Sequence, residues 1–277
     1  MLRLLTIEFL KLKHNTASKV LSIIYFGLLT SIALIAAIKF EFGDFKLHFA
    51  EMGIFNFPYI WHFNTYVASI LKFFLLLVIV SMMVNEYSYK TLKQNLIDGL
   101  SKKEFILSKF YAVVAFALAS TVFVFIISLT LGLFYSDYNE LSIITSDLEY
   151  ILAFFIKLVG FFSFGLFLGI LVKRSAFAVG AMLIWYIIEW VIFGVLGWKF
   201  VSWETAQSIK NFLPLESMMN LIKEPGSRLG PVKSAAGMIG QTFTKSYAVE
   251  FFTILIVATW TFIFIYLSFA LLKKRDL

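Results

Sequence analysis

Cysteine is absent from this sequence, which excludes disulfides, thiolate metal sites and thiol nucleophiles and leaves the redox compartment unreadable. Histidine is nearly as scarce. His14 is expected on one side of a membrane and His48 and His62 on the other, so no metal site is expected. Charged residues make up only 15% of the chain, whereas an ordinary globular domain has about one-quarter. A phosphate-cradling loop, G-x-x-x-x-G-K-[ST], is missing as well. The nearest stretch, Gly237 to Ser246, has Thr244 where the second glycine belongs. The chain is therefore expected to carry no ATPase site and to perform no covalent chemistry. Internal repeats and low-complexity tracts are lacking too, so residues 1–277 read as a single membrane domain.

What is present is apolar bulk. The 277 residues are 60% hydrophobic, include 33 Phe and have a mean hydropathy of +0.87. A soluble protein could not bury so much apolar surface, so lipid must be the solvent for much of it. A membrane-crossing helix needs about 20 mostly apolar residues. Six segments qualify: Val20 to Ile38, Phe63 to Asn85, Phe110 to Tyr135, Tyr150 to Val172, Ala176 to Trp198 and Phe251 to Leu272. The first exceeds the ~7–15-residue core of a signal peptide and lacks a small-x-small exit, so it reads as an uncleaved anchor.

Lysine and arginine collect on the cytoplasmic side of short loops. With both termini in the cytoplasm, the cytoplasmic segments hold 14 basic and 5 acidic side chains, a net of +9. The external segments then carry −3 and the membrane interior +1, within an overall net charge of +7. That excess reads as a topology signal with some attraction to anionic membrane lipids, and no nucleic acid partner is expected. Trp61, Tyr135, Tyr150, Trp198 and Tyr247 fall at span ends, as interfacial belts require. A multi-pass protein of the cell (inner) membrane is the expectation.

Three segments lie outside the spans. Residues 1–15 contain a helix, Leu2 to His14, with Leu2, Leu5, Phe9 and Leu12 on one face and Arg3, Lys11 and His14 elsewhere. Such a helix lies in the headgroup plane, or else extends the first span; the polar break from Lys11 to Thr16 favours the interfacial reading. Residues 86–109 contain Asp98-Gly99, a turn that ends one helix, and Ser101-x-x-Glu104, a capping box that starts the next. Lys102 and Lys103 then face phosphate heads. A bare connection between spans could be far shorter, so this elbow reads as a docking element. Residues 199–250 hold two short helices, Trp203 to Phe212 and Leu215 to Ile222, separated by Pro214 and followed by a loop from Pro225 to Pro231.

Many ABC-2 type transporter permeases carry a Glu after the second span, then a Gly-Thr, a Pro-x-Ser-Arg, and a Gly-Lys opening the third span. Here Glu86, Lys90-Thr91, Gly99-Leu100-Ser101-Lys102 and Ser108-Lys109 stand in those places. Gly-Thr has become Lys-Thr, and the Arg is a Lys. With the N-terminal helix and six spans, the chain resembles the ABC-2 type permease family, over nearly its whole length in architecture and over the elbow in motif. The resemblance implies an all-α polytopic membrane fold with six transmembrane helices, an N-terminal amphipathic interfacial helix, a cytoplasmic coupling elbow and an external helical hairpin, the last longer here than is usual. It implies a transport subunit, an exporter by resemblance, that pairs with a second permease copy or paralogue and docks cytoplasmic ABC ATPase subunits. ATP and magnesium would be held by those partners, and alternating access would follow from their motion. The implied coupling residues are Glu86, Lys90, Thr91, Lys93, Gly99, Ser101, Lys102 and Glu104.

Three charges fall inside spans, where ionisable residues are rare and face protein or water. Lys157 and Glu189 lie about 25 and 22 Å from the cytoplasmic end of one helical hairpin, and Lys72 about 21 Å up the second span. Equal depth predicts a Lys157–Glu189 ion pair locking spans four and five, with Lys72 on a carbonyl or on the same carboxylate. The other reading has all three line an external vestibule or proton relay, as an ion-coupled secondary transporter would need. Gly165-x-x-x-Gly169 and Ala176-x-x-x-Gly180 predict close packing of spans four and five.

Overall fold

Asn15 decides how the chain enters its first span. It follows α1 (Leu2–His14), and its side chain accepts the Ser18 N–H at 3.0 Å, capping the start of α2 (Thr16–Ala37). The computed structural model describes residues 2–38, 40–42, 45–47, 53–228, 232 and 246–274. After α2 comes a short antiparallel hairpin, β1 (Phe40–Phe42) and β2 (Phe45–Leu47), with Phe40 opposite Leu47. Otherwise the described architecture is helical: α3 (Tyr59–Ser88), α4 (Thr91–Ile97), α5 (Lys102–Tyr135), α6 (Leu141–Ile144), α7 (Glu149–Val172), α8 (Ser175–Lys199), α9 (Trp203–Lys210), α10 (Pro214–Asn220), a 3-10 turn (Gly226–Arg228) and α11 (Phe251–Lys274). Six of these, α2, α3, α5, α7, α8 and α11, are long and apolar enough to cross a membrane.

The third span exceeds its apolar core because a polar cap sets its start. Ser101 accepts the Glu104 N–H at 3.2 Å while the Glu104 carboxylate accepts the Ser101 N–H at 3.0 Å. The expected capping box is therefore formed, and it starts the same unbroken helix that becomes the third span. Both short helices of the long fifth-to-sixth connection are present as well. Pro214, expected between them, is instead the first residue of α10, where its missing N–H is no loss.

At the centre stands α7, the most enclosed span, packed against α3 and α11. Phe154, Leu158, Phe162 and Phe164 are fully buried there with Leu75, Leu76 and Ile79 of α3 and Val257 of α11. A Cβ at Gly165 would collide with Leu76, and one at Gly169 would touch Met83. The expected glycine seam therefore seats span four against span two, and not against span five. Gly180 faces open space, because α8 lies on the outside of the bundle and presents Phe177, Ile184, Ile187 and Val191 outward.

Candidate functional site: the elbow and the intramembrane cavity

The elbow is built from two left-handed residues and one carboxylate. Lys90 (φ 57°) breaks the chain between α3 and α4. Gly99 (φ 95°) ends α4, with the Leu100 N–H donating to Asn95 O at 3.0 Å and the Gly99 N–H to Leu96 O at 3.2 Å. Those two bonds form a Schellman motif, and they require the left-handed turn that the Asp98-Gly99 pair signalled. Between the two turns, the Glu86 carboxylate accepts from Thr91 Oγ1 at 2.6 Å and Asn95 Nδ2 at 3.2 Å on α4. It also accepts from Lys109 Nζ at 2.5 Å on α5 and Lys11 Nζ at 2.8 Å on α1. Lys109 is fully buried and bonds Glu8 of α1 at 2.6 Å as well. Two carboxylates and two ammonium groups thus bind four helices together.

Of the eight coupling residues named from the sequence, Glu86 and Thr91 meet directly, Ser101 and Glu104 close the cap, and Gly99 makes the turn. Lys90 and Lys93 point to solvent, and Lys102 Nζ reaches Lys273 O at 3.4 Å. Sequence reasoning missed Glu8, Lys11 and Asn95 as members. The signal was there for two of them, since Glu8 and Lys11 are one helical turn apart. The α1 face expected from Leu2, Leu5, Phe9 and Leu12 is thus corrected: Phe9 is exposed while Glu8 and Leu12 are buried. Lys109 attracts Glu8 inward and turns that face toward α5.

The three intramembrane charges do not form one network. Glu189 accepts the Leu215 N–H and the Glu216 N–H, both at 2.9 Å, and the Trp185 indole N–H at 2.9 Å. The expected Lys157–Glu189 pair is therefore absent among the described residues. The backbone N–H groups at the start of α10, which have no partner within the helix, claim the carboxylate instead, much as an N-cap does. Lys157 contacts Ser69 Oγ at 3.4 Å, and Lys72 donates to the Ser69 carbonyl at 2.7 Å. The expectation that Lys72 finds a carbonyl holds. Its ammonium also lies 4.6 Å from the Phe161 ring centre. Both lysines line a cavity of about 480 Å³ between α3, α7, α8 and α10.

At the far end of the bundle from the elbow, a polar knot fastens the α10–α11 connection. His62 Nε2 bonds Lys223 O at 2.7 Å, and Arg228 reaches His62 Nδ1, Tyr150 Oη and Asp147 Oδ2 within 3.3 Å. The His62 and Tyr150 rings stack at 4.1 Å. The Gly237 to Lys245 stretch and His48 lie outside the described residues. No group of three His, Asp or Glu side chains is placed to hold a metal ion among the described residues.

Six apolar helices of spanning length around one shared core define a multi-pass membrane protein. The chain belongs to the DUF2705 family, described as a protein of unknown function, whose model matches residues 25–277. Comparison with curated proteins returns no match.

Proposed function

We propose that this chain is the membrane-spanning permease subunit of an ATP-driven transporter of the ABC-2 type, an exporter, and that the elbow takes up the motion of separate ATPase subunits. The observation that carries the reading is Glu86. One carboxylate ties α1, α3, α4 and α5 together, so a force on the elbow reaches two spans and the N-terminal helix as one body. The tip beyond that anchor is free for a partner. Tyr89 and Ile97 are 73% and 74% exposed there, next to Lys90 and Lys93. Support also comes from Lys90. It occupies the place of a glycine in the ABC-2 pattern, and here it adopts the left-handed backbone that a glycine favours. Sidedness follows from the basic residues: the elbow, both termini and the Lys173-Arg174 turn face the cytoplasm. ATP and magnesium belong to the partner chains, a second permease copy or paralogue completes the pathway, and the chain itself is no enzyme. The separation of Glu189 from both lysines argues against the ion-coupled secondary transporter, which needed all three in one site.

The test is to look for an ABC ATPase gene beside this one, then to measure co-purification with its product and stimulation of that product's hydrolysis in lipid. A Cβ at Gly99 meets nothing within 4 Å, so Gly99→Val strains only the backbone, by about 1–3 kcal/mol. It should insert normally and lose the ATPase, whereas Gly99→Asn, which tolerates the left-handed region, should keep it. Charge reversal at Lys90 and Lys93 should weaken the association in a salt-dependent way. If Gly99→Val and the charge reversal both bind and stimulate like wild type, the permease reading fails.

A further inference from the structure

We propose that the cavity between α3, α7, α8 and α10 binds an amphiphile by an anionic oxygen head, carboxylate or phosphate, held between Lys72 and Lys157. The two lysines come from different helices and converge on Ser69, one on its carbonyl and one on its hydroxyl. Lys157 is 3% exposed and Lys72 9%. Neither ammonium has a carboxylate within ion-pair distance among the described residues, although both lie at membrane depth. Other charges on the cavity wall are already engaged. Glu216 pairs with Lys210 at 3.2 Å and Lys223 with Glu250 at 2.9 Å, while Glu224 accepts from the Gly226 N–H and Ser227 Oγ. A buried charge without a partner is costly, and two of like sign side by side are worse. An entering anion relieves both at once, which gives the site a strong preference for negative heads.

The rest of the wall selects an apolar body. Phe73, Phe161, Met182, Leu183 and Met218 line it, and thioethers and rings adapt to flexible chains. The volume, about 480 Å³, lies in the range of small-molecule sites. Free inorganic anions would satisfy the lysines and leave this surface unused. That the amphiphile is transported cargo rests on the permease reading; the binding itself does not.

The experiment uses the full chain in a neutral maltoside detergent and measures equilibrium binding of labelled dodecyl phosphate. One molecule per chain should bind, dodecanoate should compete, and dodecyltrimethylammonium should not. Lys72→Gln and Lys157→Gln should each weaken binding by about tenfold or more, the effect of losing a charge-assisted hydrogen bond. Lys72 is nearer the surface, so Lys72→Gln keeps the test alive should Lys157→Gln misfold. Phosphatidylglycerol competing better than dodecanoate identifies a membrane lipid as the source, and the reverse identifies a single-chain amphiphile. Unchanged affinity in both variants overturns the proposal, as does equal competition by inorganic phosphate. No ATPase enters this assay. Retained binding with failed co-purification defeats only the permease reading, and the converse defeats only the ligand.

Discussion

Two groups of buried charge sit inside the same apolar bundle, and they are balanced in opposite ways. At the elbow, Glu8 and Glu86 face Lys11 and Lys109, and every charge has a partner within 3 Å. In mid-membrane, Lys72 and Lys157 share one serine and, among the described residues, no acid. A closed, neutral cluster fixes geometry and has nothing left to offer a ligand. An open cluster of one sign is expensive to keep empty, and burial alone does not distinguish it from the first. Charge balance among the nearest neighbours separates a joint from a receptor.

The sharpest way to break this comparison is to remove the centre of the closed cluster. Lys109→Met leaves two buried carboxylates with Lys11, itself partly exposed, as their one remaining cation among the described residues, and should cost about 3–5 kcal/mol. Adding Glu8→Gln and Glu86→Gln should recover much of the loss, read as thermal stability of the detergent-solubilised chain. Full stability in the single variant would show that the cluster is idle. Next in size is Glu189→Leu, which strands three donors at about 1–3 kcal/mol each before relaxation. Its loss should appear with a shift in Trp185 fluorescence, and it should add to Lys157 substitutions without coupling, since the two share no interaction among the described residues. Smallest, and opposite in sign, is Lys157→Met without ligand. Removing an uncompensated charge from the open cluster should raise stability, by an amount on the order of 1 kcal/mol. A clear loss there would mean that a partner for Lys157 exists and would overturn the contrast between the two clusters.

Much of this was legible in the sequence because it was local. Apolar length marked all six spans, and Asp98-Gly99 with Ser101-x-x-Glu104 marked the elbow's turn and cap. What failed was pairing at a distance. Lys157 and Glu189 stand at matching depth on adjacent helices, but depth carries no azimuth, and α10 supplied donors that no spacing rule could weigh. Gly165 and Gly169 announced close packing without saying against which helix. Lys109 was visible as the end of the third-span motif, yet its bond to Glu8 depends on how α1 rolls, and burying an acid overrides the hydrophobic spacing of that helix. The strands β1 and β2, three residues each, are too short to leave a period in the sequence.

The helix α5 runs unbroken through 34 residues from the cap at Ser101 to Tyr135, about 50 Å at 1.5 Å per residue. Near its middle, Ser120 meets the Tyr25 hydroxyl of α2 at 2.5 Å, both side chains buried. The rod is therefore tied to α2 near its middle, with roughly 27 Å of helix toward the elbow and 23 Å toward the far side. Under the proposed permease reading, a push at the elbow would reach α2 through this bond, deep in the bundle and away from the elbow's own charges. Tyr25→Phe, which removes that bond, should loosen α5 from α2 while leaving both ends of the rod intact.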